Sequence, residues 1–512
     1  MTTPMRQLLA GLTILCTTTL VAGLPAADLQ VATVFTDHMV LQQQKPVAVW
    51  GQASAGHQIH VRFGEQAKQT IAGQDGHWKL TLDPLSASSK PHVLTITDRD
   101  TDEQLQVSDV LVGEVWLGSG QSNMAMQVRR ALNPEQEAAT ADLPLIRLFT
   151  EGSTGSEVPQ NNSTGSWQVC TPETASAFSA TLFFFGREIH SKLQVPIGLM
   201  NSSVGGTPIE AWISGPAQQG TPALNEHFIE QQAAYDDFDF AAAESLYQRQ
   251  VQRYQQRLQA GETGLRRPRN ASEARNRRGP PGGLFNGKIH PLIPFGLRGI
   301  VWYQGENNAN SRWPELYQHQ LPTLVRDWRA HWGDELPFAW VQLPNYTASD
   351  VGWPEVREGM LKALEVPQTG MAITIDIGEE KDIHPKNKQD VGRRLSWWAL
   401  ADVYDQKVPA ASGPLPAACK FTTNSVEVTF RYPVQGLQTS DQQAVRGFEL
   451  QDADGNWHPA TAELAGDRAV IRSKNRNAPA AVRYAWAALP DCNLVNSAGL
   501  PASPFRQHRD TP

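Results

Sequence analysis

Nearly continuous apolar runs alternating with amphipathic stretches constrain this chain more than any other feature. The runs are Leu111–Leu117, Leu145–Phe149, Ile197–Met200, Gly299–Tyr303, Phe338–Gln342 and Met371–Asp376. Between them lie stretches of helical periodicity at 180–193, 314–332 and 354–364. A strand buried on both faces reads as an unbroken apolar run, so the alternation predicts an α/β fold whose parallel sheet is covered by helices on both sides.

The flanks have a different texture. Residues 29–106 carry short runs with period-two alternation, such as Val47–Gly51, His57–Phe63, Gly76–Leu82 and His92–Thr97, broken by turn residues. They predict a small antiparallel β-sandwich. After Leu400 strand-like runs return at Ser425–Phe430, Val445–Leu450, Arg468–Arg472 and Ala481–Trp486. Residues 218–278, rich in Gln, Ala, Glu and Arg, interrupt the central rhythm and read as a surface insertion with a helix around 241–260. A chain of 512 residues exceeds one ordinary core. The expected division is 1–27, a signal peptide; 28–107, a β-sandwich; 108–405, a catalytic region with an insertion at about 218–280; and 406–512, a β-rich region.

Charge and composition exclude several classes. A net charge of −8 argues against a nucleic-acid binder, and the basic run 266–278 reads as a solvated loop. Arg6 followed by the apolar stretch 8–24 and the small residues Ala26 and Ala27 predicts export with cleavage, to the periplasm or outside, and no later stretch predicts a membrane span. Beyond the signal, Cys419 and Cys492 are the expected pair in an oxidising compartment, leaving Cys170 as an inert thiol. Scattered histidines without ligand spacing predict no metal and no cofactor.

Chemistry concentrates where apolar runs end. Ser122, in the segment GQSNM, follows the first run and precedes a helix candidate, where α/β enzymes place reactive groups; the competing reading is a helix N-cap. His384 follows the last run, and Asp382 two residues earlier is placed to orient its ring. Gly205 or Gly206 offers a backbone N–H, and Gln304 a side-chain amide, for a tetrahedral oxyanion. Arg129 and Arg130 near Ser122 read as helix surface, the alternative being partners for a substrate carboxylate, and Trp302, Trp313 and Trp353 as core with some capacity to stack on sugars.

Four segments, SGQSNM (119–124), GGTPIEAW (205–212), LFNGKIHPLIPFGLRGIVWYQGENNA (284–309) and DIHPKNKQDVGRRL (382–395), together resemble the sialate O-acetylesterase-like family, a branch of the SGNH or GDSL-like hydrolases. The early stretch 35–56 is similar to that family's leading β domain. The resemblance implies a three-layer α/β/α catalytic domain and release of acetate from sugar esters without a metal. By motif position it implies Ser122 as nucleophile, His384 as base, and an oxyanion hole from the Ser122 N–H, Gly205 or Gly206 and Gln304. Asn123 and Glu306 are candidate supports, Glu306 alternatively a buttress of the loop that carries Gln304. Asp382 is the preferred orienting carboxylate; Asp376, Glu306 or a Ser–His dyad are the alternatives. The expected partner is an O-acetylated carbohydrate. Acetylated hemicellulose oligosaccharides (xylan or xyloglucan) stand ahead of O-acetyl sialic acids, and a non-catalytic carbohydrate-binding protein is the alternative of another class.

Overall fold

The computed structural model describes residues 28–263, 265, 267–347, 352–472 and 478–509, so the signal-peptide reading of 1–27 lies outside the described residues. Among the described residues no helix is long and apolar enough to cross a membrane.

The N-terminal region contains β1 (Gln30–Val31), β2 (Val40–Gln42), β3 (Val47–Gln52), β4 (Gln58–Phe63), β5 (Gln66–Ile71), β6 (His77–Leu82) and β7 (Ser88–Asp98). The strands β1, β3 and β6 make one antiparallel sheet. A second run, β5–β4–β7, continues onto β8 (Gln104–Gly120). This last strand is the spine of the molecule. Its first half is antiparallel to β7, while residues 114–120 form the centre of the large sheet with every side chain buried. The boundary expected at 107/108 therefore falls inside one continuous strand.

The large sheet is ordered β10 (Trp167–Cys170), β9 (Leu143–Thr150), β11 (Ile197–Ser203), β8, β12 (Gly299–Tyr303), β13 (Phe338–Val341) and β14 (Thr369–Ala372). All neighbours are parallel except β10, which pairs antiparallel to β9. The sheet is thus mixed, not purely parallel as the apolar runs predicted. The last apolar run is extended only to Ala372, and Ile373–Asp376 leave the sheet as loop.

Alternation along β8 feeds two buried clusters. Trp116 joins Phe183, Phe185, Leu395 and Trp398 on one face, from the helices Ala180–Leu193 and Lys388–Trp398. Val115 and Leu117 join Leu324, Trp328 and Met360 on the other, from the helices Tyr317–Trp332 and Trp353–Lys362. The helix Ala180–Leu193 starts where the Ser179 hydroxyl accepts the Leu182 N–H and stops at Gln194, whose backbone is left-handed. The result is a mixed α/β chain with one large mixed sheet and added β-rich regions.

The insertion is helical at Pro222–Asp236, Phe240–Gln259 and Ala271–Arg278. The basic run is accordingly not all loop: Asn270 caps its second half in a reciprocal box with Glu273. Among its described residues the C-terminal region forms two four-stranded sheets and a two-stranded one. It docks on the catalytic region through Arg357, which is fully buried and donates to the carbonyls of Leu343, Pro344, Ala487 and Ala488 at 2.7–3.0 Å. Cys170, Cys419 and Cys492 are all free thiols, which corrects the expected Cys419–Cys492 pair. Cys170 is buried, and burial pushes its thiol up to about 12, as expected of an inert cysteine.

Candidate active site

Strand register brings the site together. Gly120 at the end of β8 lies opposite Ser203 of β11 and Tyr303 of β12, so the loops beyond these three ends share one edge. Gly120 adopts a φ of 133°, and a Cβ there would sit 2.2 Å from the Tyr303 carbonyl oxygen. Only glycine allows this turn into the short helix Ser122–Ala125. The N-cap of that helix is Gln121 and no side chain caps it, which removes the structural explanation for Ser122. Its hydroxyl instead meets His384, with Oγ and Nε2 2.9 Å apart.

His384 stands in the loop before the helix Lys388–Trp398, whose start is fixed by the Asn387 side chain accepting the Asp390 N–H. Asp382 accepts the backbone N–H of His384 at 2.9 Å, and its Oδ1 lies 3.6 Å from the ring Nδ1. That separation is at the edge of hydrogen-bond reach, and the Asp382 side chain is 47% exposed. A proton on Nδ1 facing Asp382 leaves Nε2 free to accept the Ser122 proton. Half-burial holds the imidazole below its ordinary range; Asp382 opposes this, while Lys388 and Arg130 add to it. The ring is therefore a neutral base near neutral pH. Arg130 is exposed, and its charge is felt at His384.

Gly205 presses on the nucleophile from the β11 side: a Cβ there would lie 3.4 Å from the Ser122 Cβ. Neither the Ser122 nor the Gly205 N–H has an acceptor among the described residues. Both are available to a developing oxyanion. Gly206, at φ 74°, turns its carbonyl toward Asn307, whose Nδ2 donates to it at 2.9 Å.

Gln304 departs from expectation. It is fully buried, and its Nε2 is surrounded by Asn308 Oδ1 at 2.7 Å, Thr207 O at 3.1 Å and Gln121 Oε1 at 3.2 Å. Its Oε1 accepts from the Tyr317 hydroxyl at 3.0 Å. Two hydrogens facing three acceptors leave nothing for substrate, so Gln304 fastens the loop and does not face the oxyanion. The half-buried amide of the same loop is Asn307, which lines the open cleft together with Gly206. Three amides fall within five residues (304–308), and sequence alone does not say which one keeps a hydrogen for the cleft; Asn307 spends one on the Gly206 carbonyl and keeps the other.

Below the Ser–His pair lies a buried polar chain that sequence reading resolved only in part. Asn123 donates to Glu306 Oε1 and, at 3.0 Å, to the Ile383 carbonyl beside His384. Its Oδ1 accepts from Lys388 Nζ at 2.6 Å. Burial pushes Glu306 up and drives Lys388 down to about 7. Asn123 and Glu306 thus support the site as expected, whereas Lys388 was not anticipated. Asp376 is held by Arg394 at 2.6 and 2.7 Å, which makes it a structural ion pair. Trp302 and Trp353 are core, and Trp313 is half-buried.

A cleft of about 910 Å³ opens beside these loops, lined by Gly206, Pro208 and Asn307 on one side and by the helical insertion on the other. The arrangement can activate a serine hydroxyl, hold an oxyanion on backbone N–H groups and admit a bulky ester.

Comparison with known proteins agrees with this chemistry. A family model described as carbohydrate esterase, sialic acid-specific acetylesterase, matches residues 289–398. The sialate O-acetylesterase of Rattus norvegicus is 31% identical over 93% of this chain and 93% of its own length. That of Homo sapiens is 29% identical over 93% of this chain and 91% of its own. The solved structure of a carbohydrate acetylesterase from Xanthomonas citri, 35% identical, superposes with a TM-score of 0.79 and covers 94% of this chain and 99% of that one.

Proposed function

The chain belongs to the sialate O-acetylesterase family and is a carboxylic ester hydrolase acting on acetylated carbohydrate; from that premise we propose that Ser122 and His384 carry the reaction, with Asp382 steadying the imidazole. The observation that supports this most is the 2.9 Å contact between Ser122 Oγ and His384 Nε2 beneath a free Gly205 N–H.

In the first step His384 takes the Ser122 proton as Oγ attacks the acetyl carbonyl. The N–H groups of Ser122 and Gly205, joined by the Asn307 amide in the place first expected for Gln304, receive the oxyanion. Collapse breaks the ester bond, and the imidazolium returns its proton to the departing sugar hydroxyl. Water, deprotonated by His384, then attacks the acetyl-serine; acetate leaves and Oγ recovers its proton. No atom beyond ester and water is required.

For the substrate we favour acetylated hemicellulose oligosaccharides, because the cleft is at the upper end of ordinary ligand pockets and stays open along the insertion. O-acetyl sialic acids are the second reading, favoured by the named sialate O-acetylesterase relatives. The chain is further proposed to be exported, on the strength of residues 1–27; recovery from the cytoplasm with that segment intact overturns this.

The test is acetate release from acetylated xylan, acetylated xyloglucan and O-acetyl sialic acid by the wild-type chain and by Ser122→Ala. Loss of turnover by roughly three to six orders of magnitude in a folded variant is expected. Wild-type rates in pure Ser122→Ala protein would sink the assignment.

A further inference from the structure

The helix Phe240–Gln259 contributes nothing to a core: none of its residues is buried. Its partly covered face carries Tyr247 and Tyr254, seven residues apart and therefore on one side of the helix. Both tyrosines line the cleft that Gly206 and Asn307 close from the catalytic side. The insertion is not a loose appendage. Arg275 lies 3.9 Å over the Tyr235 ring and 3.3 Å from Glu157, and the Tyr235 hydroxyl donates to Glu157 at 2.7 Å. That clamp ties the helices of the insertion to the catalytic region and fixes the outer wall of the cleft.

The wall is cationic. Arg253, Arg257, Arg267 and Arg269 all line it, in a chain of net charge −8. Arg257 is held by Glu262 and Arg267 by Glu273. Arg253 and Arg269 have no ion pair among the described residues. Two guanidiniums outside those ion pairs, Arg269 with its charge also felt by Glu273, stand with two tyrosine rings and combine a fork for a planar carboxylate with surfaces for sugar rings. The basic run read from sequence as a solvated loop thus faces the substrate side of the molecule.

Resting on the esterase reading, we propose that the insertion is the saccharide-binding wall of this site, and that it selects an oligosaccharide bearing a carboxylate on a ring other than the acetylated one. Tyr247 and Tyr254 stack on the chain, and Arg253 and Arg269 bind the acid. The acetylated ring lies at Ser122, whereas the arginines line the cleft of about 910 Å³ beyond Gly206 and Asn307, which Ser122 does not itself line; the proposal therefore places acid and ester on different residues of one chain.

Calorimetric binding of unacetylated probes tests this without turnover. The probes are a xylo-oligosaccharide with a uronic acid branch, the same chain without the branch, and free sialic acid. The wild-type chain should bind the acidic oligosaccharide about tenfold more tightly than the neutral one, the worth of one charge-assisted contact. Arg253→Gln/Arg269→Gln should abolish that preference, and Arg253→Lys/Arg269→Lys should restore part of it. Equal affinity for the acidic and neutral chains overturns the proposal, as does a preference that survives the Gln variant. Free sialic acid binding as tightly as the acidic chain also overturns it, because acid and ester would then share one ring. A chain that binds the acidic probe yet releases no acetate would fail the esterase reading alone.

Discussion

Lys388 Nζ lies 2.6 Å from Asn123 Oδ1, and this contact joins the helix behind the base to the residue next to the nucleophile. A fully buried ammonium is costly unless compensated, and here the compensation comes through Asn123 to Glu306. Because Asn123 also donates to the Ile383 carbonyl at 3.0 Å, the same chain fixes the His384 loop against Ser122.

Lys388→Met should therefore alter the pH profile as well as the rate. His384 must be neutral to act, so kcat/KM rises with pH through its folded pKa, which lies below the ordinary 6.5. Lys388 contributes to that lowering and, at about 7 itself, is charged where the limb falls. Its removal should move the acid limb up toward pH 6.5, measured as kcat/KM on an aryl acetate. A limb that stays put or moves down would show that burial alone sets the base.

Asp382→Asn should have the opposite sign on the profile. Asp382 raises the His384 pKa against the effect of burial, so losing its charge should carry the limb to lower pH. The rate effect should be modest. In a triad with a buried, hydrogen-bonded aspartate this change costs about 10⁴, but a carboxylate 47% exposed and 3.6 Å from the ring is screened by water, and a loss of about tenfold is expected. A fall approaching that of His384→Ala would make Asp382 a full triad member.

What the sequence disclosed follows from which constraints are local. The apolar run 111–117 marked the centre of the sheet because β8 is buried on both faces. Ser122 and His384 were legible because each lies in the loop beyond such a run. Commitment of side chains was not legible. Gln304 and Asn307 are both amides in one loop, and their division between loop fastening and cleft is decided by Asn308, Thr207, Gln121 and Tyr317, three of which are distant in sequence. Asp376 was a fair candidate until Arg394, 18 residues on, took both its oxygens. The pairing expected of Cys419 and Cys492 rested on count and compartment, which carry no geometry.

Asn307→Ala and Gln304→Ala separate the two amides. If Asn307 donates to the oxyanion, its loss should lower kcat by about 10²-fold or more with little change in melting temperature. Gln304→Ala should lower the melting temperature, because it strips partners from buried Asn308 and Tyr317. The reverse pattern, a stable but slow Gln304 variant beside an active Asn307 variant, would return the oxyanion role to Gln304.

Arg357 carries the association of the C-terminal region with the sheet. Its guanidinium is wholly buried and its donors end on four carbonyls, two after β13 and two at Ala487 and Ala488. Burial brings its pKa down to about 9, so it remains charged at neutral pH. Arg357→Met keeps the bulk and removes every donor; Pro344 and Ala488 keep the Trp353 indole and the Tyr346 N–H as donors, but the Leu343 and Ala487 carbonyls lose the guanidinium, at a cost of roughly 2 kcal/mol or more. The melting temperature should fall by several degrees, and limited proteolysis should cut first near residues 485–490, where the freed Ala487 carbonyl lies. Arg357 touches neither Ser122 nor His384, so the folded fraction should hydrolyse an aryl acetate at the wild-type rate. A variant that melts unchanged would mean that the neighbouring contacts, Gln342 with Ser503 at 2.9 Å and Glu358 with Arg506 at 3.1 Å, hold the two regions together without it.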